Sequence, residues 1–208
     1  MLTAEEQPSL LEAMGGPYGA AESALPSVAF VIAYTAGLEV TPAAAVAVAI
    51  AAVAGVIRIF RRETVQFAFT GIVGVVISAL VASKTGEARN FFLPGLLANV
   101  AYAAICLGSV AVRWPFVGVL IAGFSGEEGW RDNAPRMRAF RNATLIFGLI
   151  FVLRLVVQVP LYLADATAAL GVVKTVMGIP LFGIGIWLSW LMLRGTEPPK
   201  PGTAAPAA

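Results

Sequence analysis

The run LIFGLIFVLRLVVQVPLYL, residues 145–163, decides the fold. It is apolar throughout except for Arg154 and Gln158, and it matches the ~20 residues that a helix needs to cross a bilayer. No acidic residue stands near Arg154 in the sequence. A Lys or Arg at the bilayer centre costs about 2.5–3.5 kcal/mol on insertion scales, so a charge there marks a functional site by default.

The composition extends this reading to the whole chain. Hydrophobic residues make up 59% of the 208 and charged residues only 12%. A soluble domain carries about 25% charged residues, so most of this surface faces something other than water. The expected fold class is all-α: a polytopic transmembrane helical bundle within residues 25–194. Six spans are expected, near Leu25–Val40, Pro42–Phe60, Thr64–Ser83, Phe91–Val112, Asn142–Leu163 and Thr167–Leu193. Trp114–Phe124 is too short to cross and is expected as an interfacial or re-entrant helix opened by Pro115. Pro180 with Gly178, Gly183 and Gly185 predicts a kinked or broken last span.

Residues 1–24 read as a flexible acidic tail, with Glu5, Glu6, Glu12 and Glu22 and no basic n-region of a signal peptide. Residues 195–208 read as a disordered Pro/Ala-rich tail. Basic residues gather in the loops after spans two, four and six, whereas Lys84 and Arg89 alone lie on the opposite side. The positive-inside rule therefore puts both termini in the cytoplasm of a bacterial plasma membrane.

The motifs exclude more than they assign. Without histidine, the commonest general base and metal ligand is missing. Gly123-Phe-Ser125-Gly-Glu127 departs from a nucleophile elbow at its last position. Gly183-Ile-Gly185 lacks the third glycine and the preceding strand of a dinucleotide site. No pair of acids lies within a span to hold a divalent cation, and the single Cys106 excludes an intrachain disulfide. The expectation is a protein that is not an enzyme, with no cofactor and no metal. A net charge of +2, spread thinly, gives no footprint for nucleic acid.

The candidate intramembrane polar or ligand site is Arg154, Gln158, Asn99 and Lys174. Arg154 and Gln158 share one helix face, and Pro160 frees the carbonyl of Val156. The plainer reading has Arg154 bonded to carbonyls and Asn99, with Gln158 and Asn99 as interhelical glue. It has Lys174 snorkelling outward or pairing with Asp165. Cations without an acidic partner favour an anion or a carbonyl and disfavour a bare cation path, unless Glu39 or Glu63 folds inward. Trp130, Arg131, Arg136, Arg138 and Arg141 form a candidate cytoplasmic interface in the Ser125–Arg141 loop, read either as a solvated loop with an aromatic anchor or as a surface for anionic lipid or a partner. Ala43, Ala47, Ala51 and Gly55 make a small-xxx-small face, packed within the chain or in a homo-oligomer.

The order of short motifs adds a resemblance. It comprises Leu25-Pro26, Arg58-Ile-Phe-Arg61-Arg62, Asn90-Phe91-Phe92, Arg113-Trp-Pro115-Phe-Val-Gly118, Gly129-Trp130-Arg131, Arg141-Asn142-Ala-Thr144 and Lys174. This layout resembles an uncharacterised actinobacterial membrane family, a domain of unknown function, similar in layout to the intracellular septation protein A (YciB-like) group. The septation likeness implies envelope or division partners without catalysis. The actinobacterial likeness implies potassium-uptake partners and ion transport. Arg154 stands where the septation-type proteins carry an uncharged polar residue, so the charge is this chain's own. The expected function is therefore ion or small-solute transport, with an envelope or septation scaffold or a lipid-binding accessory protein as the alternatives.

Overall fold

The computed structural model describes residues 16–61, 65–127 and 129–196, and every regular element among them is helical. The elements are α1 (Gly16–Thr35), α2 (Val40–Phe60), α3 (Val65–Thr85), a 3₁₀ turn (Ala88–Phe91), α4 (Leu93–Ala111), α5 (Phe116–Ser125), α6 (Ala134–Leu163), α7 (Thr167–Val176) and α8 (Ile179–Leu193).

Four helices are long and apolar enough to cross a membrane: Val40–Phe60, Leu93–Ala111, Ala134–Leu163 and Thr167–Leu193. The expectation of six spans is thereby corrected. The apolar parts of the first and third expected spans, Ala24–Thr35 and Phe69–Thr85, fall in the shorter class of 10–17 residues. Helix α3 as a whole runs 21 residues, Val65–Thr85, and Phe69–Thr85 is its apolar part among the described residues. Helix α1 starts at Gly16, inside the stretch expected as a flexible tail, and stops at Thr35 rather than Val40. Apart from residues 16–24 and 195–196, both expected tails lie outside the described residues, as do Arg62, Glu63 and Lys200.

Local chemistry sets the ends of these helices. Thr85 Oγ1 donates to the Val81 carbonyl at 2.8 Å, and Gly86 at φ +71° closes α3 in the left-handed conformation that glycine adopts freely. The Asn133 side chain caps α6 by accepting from the Arg136 amide at 3.2 Å. Ser109 and Thr144 hydroxyls accept from the amides of Phe116 and Val117, satisfying two of the donors that open α5. Helix α5 covers ten residues, close to the short helix expected at Trp114–Phe124. Helix α6 runs unbroken past Pro160. The last span is interrupted at Met177–Gly178, which matches the break expected there.

The chain folds as two compact units. The first comprises Met1–Ala98 with Arg154–Ile179. Its core joins Phe30, the alanines of α2, Ala79 and Ala82 of α3, Phe91, Phe92 and Leu170. Phe30 stacks on Phe91 with ring centroids 4.0 Å apart. The small-residue stripe of α2 is buried in this core, so its close contact is used inside the chain. The second unit comprises Asn99–Leu153 with Pro180–Ala208, and its core is Ala122, Trp130 and Phe140.

Candidate functional site

Three of the four expected intramembrane residues belong to the first unit. Arg154 and Gln158 project from one face of α6, and Lys174 stands on α7. Asn99 is buried on α4 and belongs to the second unit. Gln158 is only 4% exposed. Its Nε2, like Arg154 Nε, is buried with no hydrogen-bond partner among the described residues. A buried N–H left unmatched costs about 1–3 kcal/mol, and native structures leave few of them.

Among the described residues Lys174 makes no ion pair with Asp165. Its Nζ donates to Ser27 Oγ at 3.2 Å and lies 5.2 Å from the Phe92 ring centroid. Gly95 lies beside it: a Cβ there would meet Cε and Nζ at an ordinary contact of 4.0 Å. The aromatic faces and the hydroxyl stabilise the ammonium without cancelling its charge. Arg154 and Lys174 are close enough to act on each other as like charges. Asp165 sits exposed in the turn after α6, and its charge acts on Arg89. Glu39 is exposed just ahead of α2, so it does not fold inward. The chemistry of the group follows: it presents donors and positive charge, and its two orphaned atoms are N–H donors.

A second polar network, absent from the expected site, closes one end of this unit. The Tyr162 hydroxyl donates to Asn90 Oδ1. Asn90 Nδ2 in turn donates to Thr85 Oγ1 at 3.0 Å and to Glu87 Oε2 at 3.2 Å. Glu87 also accepts from Arg89 Nε at 3.0 Å, and this bond holds the Arg89 guanidinium above its ordinary range. All donors here are matched, so the network ties the α3–α4 connection to α6 and offers no site. Tyr162 carried one signal, a lone hydroxyl among apolar residues near a helix end. Its partner lies 72 positions away.

The second unit corrects the expected cytoplasmic interface. Residues 134–141 are not loop but the first turns of α6. Arg136 forks onto Glu127, Nε to Oε1 at 2.9 Å and Nη2 to Oε2 at 2.8 Å. The Arg136 side chain is buried and that of Glu127 is partly buried, at 8% and 11% exposure. The remaining nitrogen, Nη1, donates to Thr196 Oγ1 at 3.2 Å and to the Leu193 carbonyl at 3.4 Å. Trp130 is buried edge-on against Phe140 rather than anchored at a surface. Arg131, Arg138 and Arg141 remain exposed. Beside them opens a cleft of about 680 Å³, lined among others by Arg113, Trp130, Arg131, Asp132 and Met137.

Among the described residues, no group of three or more His, Cys, Asp or Glu is placed to hold a metal ion. No curated protein and no solved structure matches the chain. The septation-type likeness therefore rests on the layout of short motifs alone. A family match does extend over residues 14–200, nearly the whole chain and both units, and by it the protein belongs to the family described as Protein of unknown function (DUF3159).

Proposed function

We propose that this is a non-enzymatic bacterial plasma-membrane protein that moves a small anion, or a solute bearing a carbonyl or carboxylate, past Arg154, Gln158 and Lys174. One observation carries the proposal: Arg154 Nε and Gln158 Nε2 are buried donors that find no acceptor among the described residues. A ligand oxygen or halide would complete both. Two positive charges without an intramembrane acid disfavour a bare cation and favour an anion, as basic side chains do in anion-selective pores. Potassium itself is a poor fit to this charge, so any link to potassium uptake runs through a partner protein.

The test is flux through liposomes holding the purified protein, read for chloride, nitrate and acetate beside potassium. Wild type is expected to pass at least one anion and to leave potassium where it is, and Arg154→Leu to abolish the anion flux. Equal flux through Arg154→Leu, or no anion flux in wild type, would sink the proposal. A scaffold role of the septation type draws on less. Of the five residues that would present its surface, Trp130 and Arg136 are buried.

A further inference from the structure

We infer that the cleft of the second unit is a headgroup site for an aminophospholipid, with Arg113 and Arg131 on the phosphate and Asp132 on the ammonium. This inference is independent of the transport reading. The cleft holds about 680 Å³. That volume falls in the range of small-molecule sites, whose walls are mostly apolar with a few placed polar groups. Here Trp130 and Met137 supply apolar wall.

The charges in the lining sort into used and unused. Glu127 is occupied by the Arg136 fork. Arg113 has no ion pair among the described residues, and Arg131 contacts only the Trp114 ring, its guanidinium carbon 4.1 Å from the centroid. Asp132 has no cation partner there either. The cleft thus offers two free guanidinium groups and one free carboxylate. A phosphate accepts from the guanidinium forks, and an ammonium matches the carboxylate. An anionic headgroup would leave Asp132 uncompensated.

Backbone geometry supports a purpose for Arg113. It ends α4 at φ +58°, with its own amide bonded to the Val110 carbonyl and the Trp114 amide bonded to the Ser109 carbonyl at 2.8 Å. Glycine is the usual residue at such a helix end. An arginine held in a left-handed conformation beside a cleft fits the pattern of local strain kept at binding sites. The surroundings suit a lipid: Trp114, whose ring Arg131 contacts, is half-exposed, as tryptophans at a membrane–water boundary are.

The test is native mass spectrometry of the full-length protein in detergent, with phosphatidylethanolamine, phosphatidylglycerol or inorganic phosphate added. Wild type is expected to retain one phosphatidylethanolamine per chain, in preference to phosphatidylglycerol. The Arg113→Gly, Arg131→Gln double variant removes two charges worth about 1 kcal/mol each, so its affinity should fall about 30-fold. Glycine adopts the left-handed conformation freely, so this variant keeps the helix end, and its melting temperature checks the fold. Wild-type retention by a folded double variant would overturn the proposal. Displacement of the lipid by an equal concentration of inorganic phosphate would overturn it too, since the cleft would then be a phosphate site.

Discussion

Arg154 and Arg136 each take a guanidinium out of water, and they do so in opposite ways. Arg136 has acceptors for all three of its nitrogens, from Glu127, Leu193 and Thr196. Breaking a buried pair by removing one partner costs about 3–5 kcal/mol. Glu127→Ala is therefore expected to lower the unfolding temperature in detergent sharply, and the Glu127→Leu, Arg136→Met double variant to recover much of the loss. For Arg154, whose Nε lacks an acceptor, the expected sign is reversed. Arg154→Leu removes an unmatched donor and should leave stability unchanged or raised, even as flux disappears; a large fall in melting temperature would show that Arg154 is structural. The sequence exposed Arg154, because a lone charge in an apolar run is visible by contrast. It hid Arg136, because Glu127 lies nine positions earlier within a charge-rich stretch that resembles a solvated loop.

At the scale of the element, side-chain size governs how closely the helices approach. Ala47 of α2 is fully buried in the first core. Overpacking such a position costs about 1–3 kcal/mol, so Ala47→Leu should lower stability by that order in a denaturant titration. Gly118→Ala makes a matching case in the second unit. A Cβ there would come within 3.0 Å of the Phe140 and Trp130 rings, neither of which is a free end. Gly74 on α3 has open space around it. Gly74→Ala is expected to gain up to about 1 kcal/mol from helix propensity alone, and a loss would mean that α3 has a neighbour outside the chain. The four-residue spacing made the α2 stripe legible. Two of the expected spans are not among the four candidate crossings, because the apolar residues alone do not mark where a crossing helix starts and stops.

For the whole molecule, an even number of crossings returns the chain to the side it left. Reporter fusions at residue 208 and at the N-terminus should therefore score on the same side, and opposite scores would refute four crossings. Fold class was readable because solvent choice is written into composition. The division into two units was not, since it depends on contacts between residues far apart in the chain. One of those contacts bears on how the protein is made. The third nitrogen of Arg136 finds its acceptors 57 and 60 residues later, at the close of α8. At 5–20 residues per second of synthesis, that donor waits roughly 3–12 s for its partners. A chain cut short before Leu193 leaves that nitrogen without either acceptor, so its bonds can form only once α8 has been made.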